Sequence, residues 1–224
     1  MSPRNVSKLV TLPRVERFEA QTLTKEQALK LLAIAQESRV EALLMIAVTT
    51  GMRRGELLAL HWEDIDFEKK VVSVHRTLSR VTGQGYKETE PKTKSSRRRI
   101  ALPDVALEAL IEHRNAQAQM KIEAGDRWHE QGLVFCNKFG KYFNSDVLLR
   151  IFHGLLNKAG LPDMRFHDLR HSAATILMAA GVHPKMVQER MGHSSIAMTM
   201  DIYSHVLPSM QQEVADKIND MFKR

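Results

Sequence analysis

Cysteine is nearly absent: Cys136 is the single one among 224 residues. No internal disulfide can form, so packing must hold the fold, and Cys136 lies in a short apolar run, LVFCN, that suits a buried strand. Long hydrophobic runs are missing as well. None approaches the ~20 apolar residues that a membrane-crossing helix needs. The opening MSPRNVSKLVTLPRVERF also lacks the apolar segment of a signal peptide. A cytoplasmic protein with no membrane partner is the expectation. Internal repeats and low-complexity tracts are lacking too, which sets aside solenoids and disordered tails. Acidic residues fall short of basic ones, 26 against 33, for a net charge of +7, so a polyanion is the natural partner unless the surplus serves only solubility. Tyrosine is scarce, with three residues in all, yet one of them stands near the C-terminus between histidines, in GHSSIAMTMDIYSH.

What is present fills an ordinary core, with 43% apolar residues. Residues 1–20 mix Pro, Arg and isolated apolar positions without a period and are expected to be a linker or arm. Thr24 with Gln27 three residues on predicts a capping box, and Ala28, Leu31, Leu32 and Ala35 then share one helical face. A second helix is predicted through Val40, Leu43, Leu44 and Ala47. Gly51 breaks it, and MRRGELLAL resumes as a short helix ending near Trp62. Residues 71–103 read as a small antiparallel sheet. Helical periodicity returns over 104–120 and 146–158, with a short strand and turn at LVFCNKFGKYF between them. From Phe166 the chain reads as helical, with Gly181 and Gly192 as stops and Pro184 in a first turn. Val214, Ile218, Met221 and Phe222 form a stripe on a last helix. The fold class expected is α+β: a mainly helical domain with a small antiparallel three-stranded sheet.

Several segments could carry chemistry. In TTGMRRGELLAL, Arg53 follows the glycine break and Glu56 lies one turn on; this is either a functional pair or an exposed i,i+3 ion pair. KTKSSRRR packs Lys92, Lys94, Arg97, Arg98 and Arg99 among hydroxyls that can donate to phosphate oxygens, as a DNA contact or as a solvated face. In FHDLRHS, His167 and Arg170 are three apart, a spacing that lets an imidazole and a guanidinium fork meet one phosphate; a polar helix start is the plainer alternative. His193 follows the Gly192 stop, and Tyr203 comes ten residues later. Five histidines, at 167, 171, 183, 193 and 205, crowd the last quarter, and His167 with His171 has zinc-ligand spacing. The glutamate of an HExxH motif and a spaced third ligand are both missing, so no metal site is expected. Two arginines, two histidines and a lysine are what a negatively charged phosphoryl transition state demands, and tyrosine is a competent covalent nucleophile.

The ordered motifs TGMRRGEL, KTKSSRRRIAL, HDLRH, MGHSS and IYSHV resemble the tyrosine recombinases, or phage-type integrases, from about Leu23 to Val206. The resemblance implies that Arg53 and Arg170 are catalytic arginines, with Glu56 steadying Arg53. It implies that Lys92 protonates the leaving 5′ oxygen, with Lys94 as a competitor, that His167 and Arg170 form the HxxR pair, that His193 is the second histidine, and that Tyr203 is the nucleophile. Arg54, Lys94, Ser95 and Arg97 are expected DNA contacts. No cofactor is implied. The implied partner is double-stranded DNA with inverted-repeat core sites, on which a tetramer assembles. Members of the family usually carry an N-terminal, helical domain that closes around DNA, and only about 20 residues precede the catalytic region here. The expectation is therefore a catalytic domain at 21–206, cut from a longer integrase or, as the alternative, belonging to a naturally short relative, with a linker or arm remnant at 1–20 and a C-terminal helix at 207–224 that either folds back on its own domain or docks on a neighbour. Two rivals remain. A type IB topoisomerase would share the chemistry, and AATILMAAGVHPKMVQERMGHSS could be the helix-turn-helix of a non-catalytic regulator.

Overall fold

The computed structural model describes residues 21–36, 38–90, 97–203, 215, 216 and 218–223. Eight helices and five strands follow one another in this part of the chain: α1 (Lys25–Ala35), α2 (Glu41–Thr50), α3 (Arg54–Leu58), β1 (Ile65–Asp66), β2 (Val71–Val74), β3 (Thr77–Val81), β4 (Gly85–Thr89), β5 (Arg98–Ala101), α4 (Asp104–Ala124), α5 (Ser145–Lys158), α6 (Asp168–Ala179), α7 (Pro184–Met191) and α8 (Ile196–Tyr203). Local chemistry explains several ends. The Thr24 hydroxyl accepts from the Gln27 amide at 3.2 Å while the Gln27 side chain accepts from the Thr24 amide at 2.9 Å, which closes the expected capping box. Gly51 and Gly192 stop α2 and α7 in the left-handed conformation, at φ 65° and 67°. Pro184 opens α7.

Two hydrophobic clusters hold these elements. The larger gathers Leu31, Leu43, Leu44, Leu57, Ile100, Leu110, Leu148, Phe152 and Leu169, and α2 runs through its middle with six buried residues in ten. The smaller consists of Ala173, Ala174, Met178, Val187 and Met191 and joins α6 to α7. Helix α6 belongs to both, since Leu169 faces the first and Ala173 the second.

The β structure departs from one three-stranded sheet over 71–103. The three-stranded sheet has the order β1-β2-β5, all antiparallel, and begins at Ile65; β3 and β4 pair as a separate hairpin. The break lies at His75 and Arg76. His75 Nε2 is 3.2 Å from a carboxylate oxygen of the buried Asp64, and Arg76 Nη1 donates to the other at 3.0 Å, so the chain turns toward Asp64 instead of continuing the ladder. Helix α3 ends at Leu58, short of Trp62, because the next residues pair outward. Val134 N–H donates to the Leu60 carbonyl at 2.8 Å and Trp62 N–H to that of Gly132 at 2.9 Å. Those bonds, the single bridges His61 to Leu133 and Cys136 to Tyr142, and the Gln117 amide donating to Leu133 and Val134 carbonyls replace the strand expected at LVFCNKFGKYF. Cys136 is buried there, 3.2 Å from Gln117 Nε2. Helix α4 runs four residues beyond Met120.

Candidate functional site

Helix α3 begins where Glu56 reaches back. Its Oε2 accepts from the Arg53 backbone N–H at 2.8 Å, and its Oε1 accepts from Arg53 Nη1 at 2.8 Å. The pair is not an exposed surface contact, because Glu56 is 3% accessible. Across the carboxylate stands Arg98 of β5, with Nη2 to Oε2 at 2.9 Å and Nη1 to Oε1 at 3.2 Å. Burial pushes the Glu56 carboxyl upward, but Arg98 and Arg53 overcome it and hold the group below its ordinary value. One of the five cations in the basic run is thus turned inward.

Helix α6 brings the next group. Arg170 is buried at 3% and donates from Nη1 to the Gly51 carbonyl at 2.7 Å. Its Nη2 is buried with no hydrogen-bond partner among the described residues. A buried guanidinium nitrogen without an acceptor is costly, and an incoming oxyanion would satisfy it. Burial, then the charges of Arg53 and Arg98, lowers the Arg170 guanidinium to about 9, so it stays charged at neutral pH. Arg53, Arg98 and Arg170 against Glu56 leave 3 − 1 = 2 positive charges in surplus. The cleft therefore favours an anion.

His167 caps the N-terminus of α6 and meets His171 edge to face, with ring centroids 5.4 Å apart. Burial, followed by His171, Arg170 and Arg53, lowers His167 to about 4. His193, just past Gly192, is 5% accessible and shares a 2.9 Å hydrogen bond between Nδ1 and Thr199 Oγ1 of α8. Burial, Arg170 and Arg53 lower it to about 3. Both imidazoles are neutral at physiological pH, and each can accept a proton or donate a hydrogen bond. Arg53 Nη2 also approaches the Gly192 carbonyl at 3.4 Å, which ties α3 to the end of α7 beside His193.

Among the expected residues, Arg53, Arg170, His167 and His193 converge here. Arg54 lies beside Arg53 on a groove shared with Thr77, Leu78, Arg165 and His167. Arg97 is exposed and pairs with Glu90. Lys92, Lys94 and Ser95 lie outside the described residues, as does the 1–20 segment. The backbone of Tyr203 closes α8, which packs on α6 and α7; its side chain lies outside the described residues. Sequence reasoning missed the pairing of Arg98 with Glu56 and the part played by Thr199. An arginine on the buried face of a strand, two residues before Ile100, was the available signal.

Known proteins resemble this chain in sequence and in fold. Residues 21–210 match the phage integrase family. A tyrosine recombinase XerC-like protein of Caldanaerobacter subterraneus subsp. tengcongensis is 39% identical over 215 residues, covering 91% of this chain and 55% of that protein. The ICEBs1 integrase of Bacillus subtilis is 35% identical over 176 residues, covering 79% and 47%. The chain spans about half the length of these curated relatives. Among solved structures, the Tn1549 transposon integrase in complex with transposon right-end DNA superimposes with a TM-score of 0.73 at 26% identity, over 93% of this chain and 70% of that one. With the ordered motifs, the fold and the matched span in agreement, the chain belongs to the phage integrase family.

Proposed function

We propose that the chain is the catalytic part of a site-specific DNA recombinase of a phage or other mobile element, which breaks and rejoins DNA through a 3′-phosphotyrosyl intermediate. The observation that carries this reading is the buried Nη2 of Arg170, which has no partner among the described residues, in a cleft with surplus positive charge. A phosphodiester supplies the missing acceptor and the missing negative charge. The Tyr203 oxygen attacks phosphorus, the bond to the 5′ oxygen breaks, and that oxygen leaves with a proton from Lys92. The phenolic proton passes to a neutral imidazole, His167 or His193, both of which burial and neighbouring cations keep deprotonated. Arg53 and Arg170 hold the non-bridging oxygens of the five-coordinate transition state. One phosphodiester is exchanged for another, so no nucleotide cofactor is required.

The partner in this reading is double-stranded DNA with inverted-repeat core sites, contacted by Arg54, Lys94, Ser95 and Arg97, with four protomers assembling on it in the cytoplasm. The Tn1549 integrase seen with DNA shares this fold. Residues 21–206 form the catalytic domain, 1–20 are linker, and the segment 207–224 docks on a neighbouring protomer. Ile218, Met221 and Phe222 are exposed, which supports that docking; Val214 of the same stripe lies outside the described residues. Incubation with a nicked suicide substrate followed by denaturing electrophoresis tests the chemistry. A DNA adduct that resists denaturation is expected. Its absence is what a helix-turn-helix regulator would give, and relaxation of any supercoiled plasmid regardless of sequence would mark a topoisomerase instead.

A further inference from the structure

Arg98 lies outside the set of groups that the proposed reaction uses, yet it is among the most tightly engaged side chains near the cleft. It is 6% accessible and sends both Nη atoms to Glu56, at 2.9 and 3.2 Å, and Nε to the Arg190 carbonyl at 2.8 Å. Arg190 in turn reaches the Thr49 carbonyl at 2.8 Å and the Ala101 carbonyl at 3.1 Å, binding the end of α2 to β5. Glu56 bonds Arg53 twice, by backbone and by guanidinium. A continuous path therefore runs from β5 through one carboxylate to Arg53, and a branch of it ends beside Gly192 and His193.

We infer that Arg98 is a positioning residue for the proposed cleavage: it fixes the Glu56 carboxylate, which fixes Arg53, while its own hydrogen-bonding atoms are turned into the protein. The physical case rests on what Glu56 would do alone. A carboxylate at 3% accessibility is stable only while its oxygens are filled by donors, and Arg98 supplies two of the four contacts described here. Without Arg98, the charged groups left facing Glu56 among the described residues are Arg53 at the start of its own helix and Arg170 from α6. The carboxyl then takes up a proton at a higher pH, and a neutral carboxylic acid no longer orients Arg53 by charge. Arginine suits this task because its flat fork grips both oxygens and leaves Nε for the Arg190 carbonyl; an ammonium cannot do all three.

This inference rests on the recombinase reading for its activity readout, so the test carries a second readout that does not. Cleavage of the nicked substrate is followed across acid to neutral pH in Arg98→Met, Glu56→Gln and the double variant. The Arg53 guanidinium is followed by nitrogen NMR on the DNA-free protein, its signal assigned by loss in Arg53→Lys. Arg98→Met is expected to cleave on the order of 100-fold more slowly, the loss that a misplaced reacting group brings. It should also lose rate as pH falls where the parent does not. The double variant removes the titrating carboxyl, so it should lose that extra acid limb and be no slower than the slower single variant. In Arg98→Met the Arg53 signal should move over the same pH interval. Losses that multiply in the double variant, with the pH profile unchanged, would instead make Arg98 an independent contact to DNA and overturn the inference. An Arg53 signal indifferent to pH in Arg98→Met overturns it too, even if the parent forms no adduct and the recombinase reading itself has failed. Should Arg98→Met not fold, Arg98→Lys keeps the charge and loses the fork. It should then show the same acid limb in smaller measure, and a parent-like profile and signal would count against the inference.

Discussion

Tyr203, Arg170 and Thr199 are the single residues whose replacement separates chemistry from architecture. Tyr203→Phe should abolish the covalent adduct while DNA affinity stays near that of the parent, because one oxygen is lost and phosphate contacts supply most of the binding. An adduct in that variant, checked by denaturing electrophoresis, would move the nucleophile to Tyr86 or Tyr142. Arg170→Lys should lower the cleavage rate about 100- to 1,000-fold with little change in binding, since an ammonium cannot satisfy the Gly51 carbonyl and an oxyanion together. Rapid-quench rates against anisotropy titrations would show the split. Thr199→Val removes the partner of a buried imidazole nitrogen and should cost about 1–3 kcal/mol in denaturant unfolding. The histidines also fix how stability depends on pH. Folded His167 and His193 lie at about 4 and 3 against an ordinary 6.5, so the unfolded chain binds more protons below that value. Their effect is absent above 6.5 and destabilises the fold progressively as pH falls toward the folded values. Urea midpoints measured across that interval should decline, and by less in His193→Gln.

At the scale of elements, close approaches of backbone set the geometry. A Cβ on Gly55 would stand 2.5 Å from Thr77 Oγ1 and 2.9 Å from the Leu78 carbonyl, so α3 rests directly on β3. Gly55→Ala should push the two apart, cost about 1–3 kcal/mol and slow cleavage by displacing Arg53; thermal midpoints and adduct yields check this. Local features of this kind are unevenly legible. The Thr24 capping box, the glycine stops at Gly51 and Gly192 and the Pro184 start depend on neighbours within four residues, and all could be read from the chain. The bend at His75 and Arg76 depends on Asp64, whose buried carboxylate no short window displays. The inward turn of Arg98 needs Glu56, 42 residues away; within KTKSSRRR nothing sets that arginine apart, and only its place two residues before the buried Ile100 hints at it. The positions of Arg53, His167, Arg170 and His193 were legible through the order of motifs, while their neutrality or charge follows only from burial and from one another.

The whole molecule divides its stability between two clusters, and the division has a functional reading. The proposed DNA-facing arginine Arg53 and its support sit on elements of the larger cluster, whereas α7 depends on five buried residues that it shares with α6, and α8 packs on those same two helices. Regions with less buried apolar area open first, so amides of α7 and α8 should exchange with solvent faster than those of α2 and α5. Hydrogen exchange followed by mass spectrometry would show it. Binding as a whole should weaken with salt, as the net charge of +7 implies, and replacing Arg54 or Arg97 by alanine should reduce the logarithmic salt slope by about 1 each. On the proposed reading, the two-cluster plan also means that mild heating would loosen α7 and α8, and with them the proposed nucleophile Tyr203, before the elements that carry Arg53 and Arg54. On that reading, a warmed protein would still bind DNA without cutting it and, on cooling, regain its activity. Heat would turn the proposed recombinase into a reversible blockade of its own substrate, a temperature-gated antagonist made from the same chain.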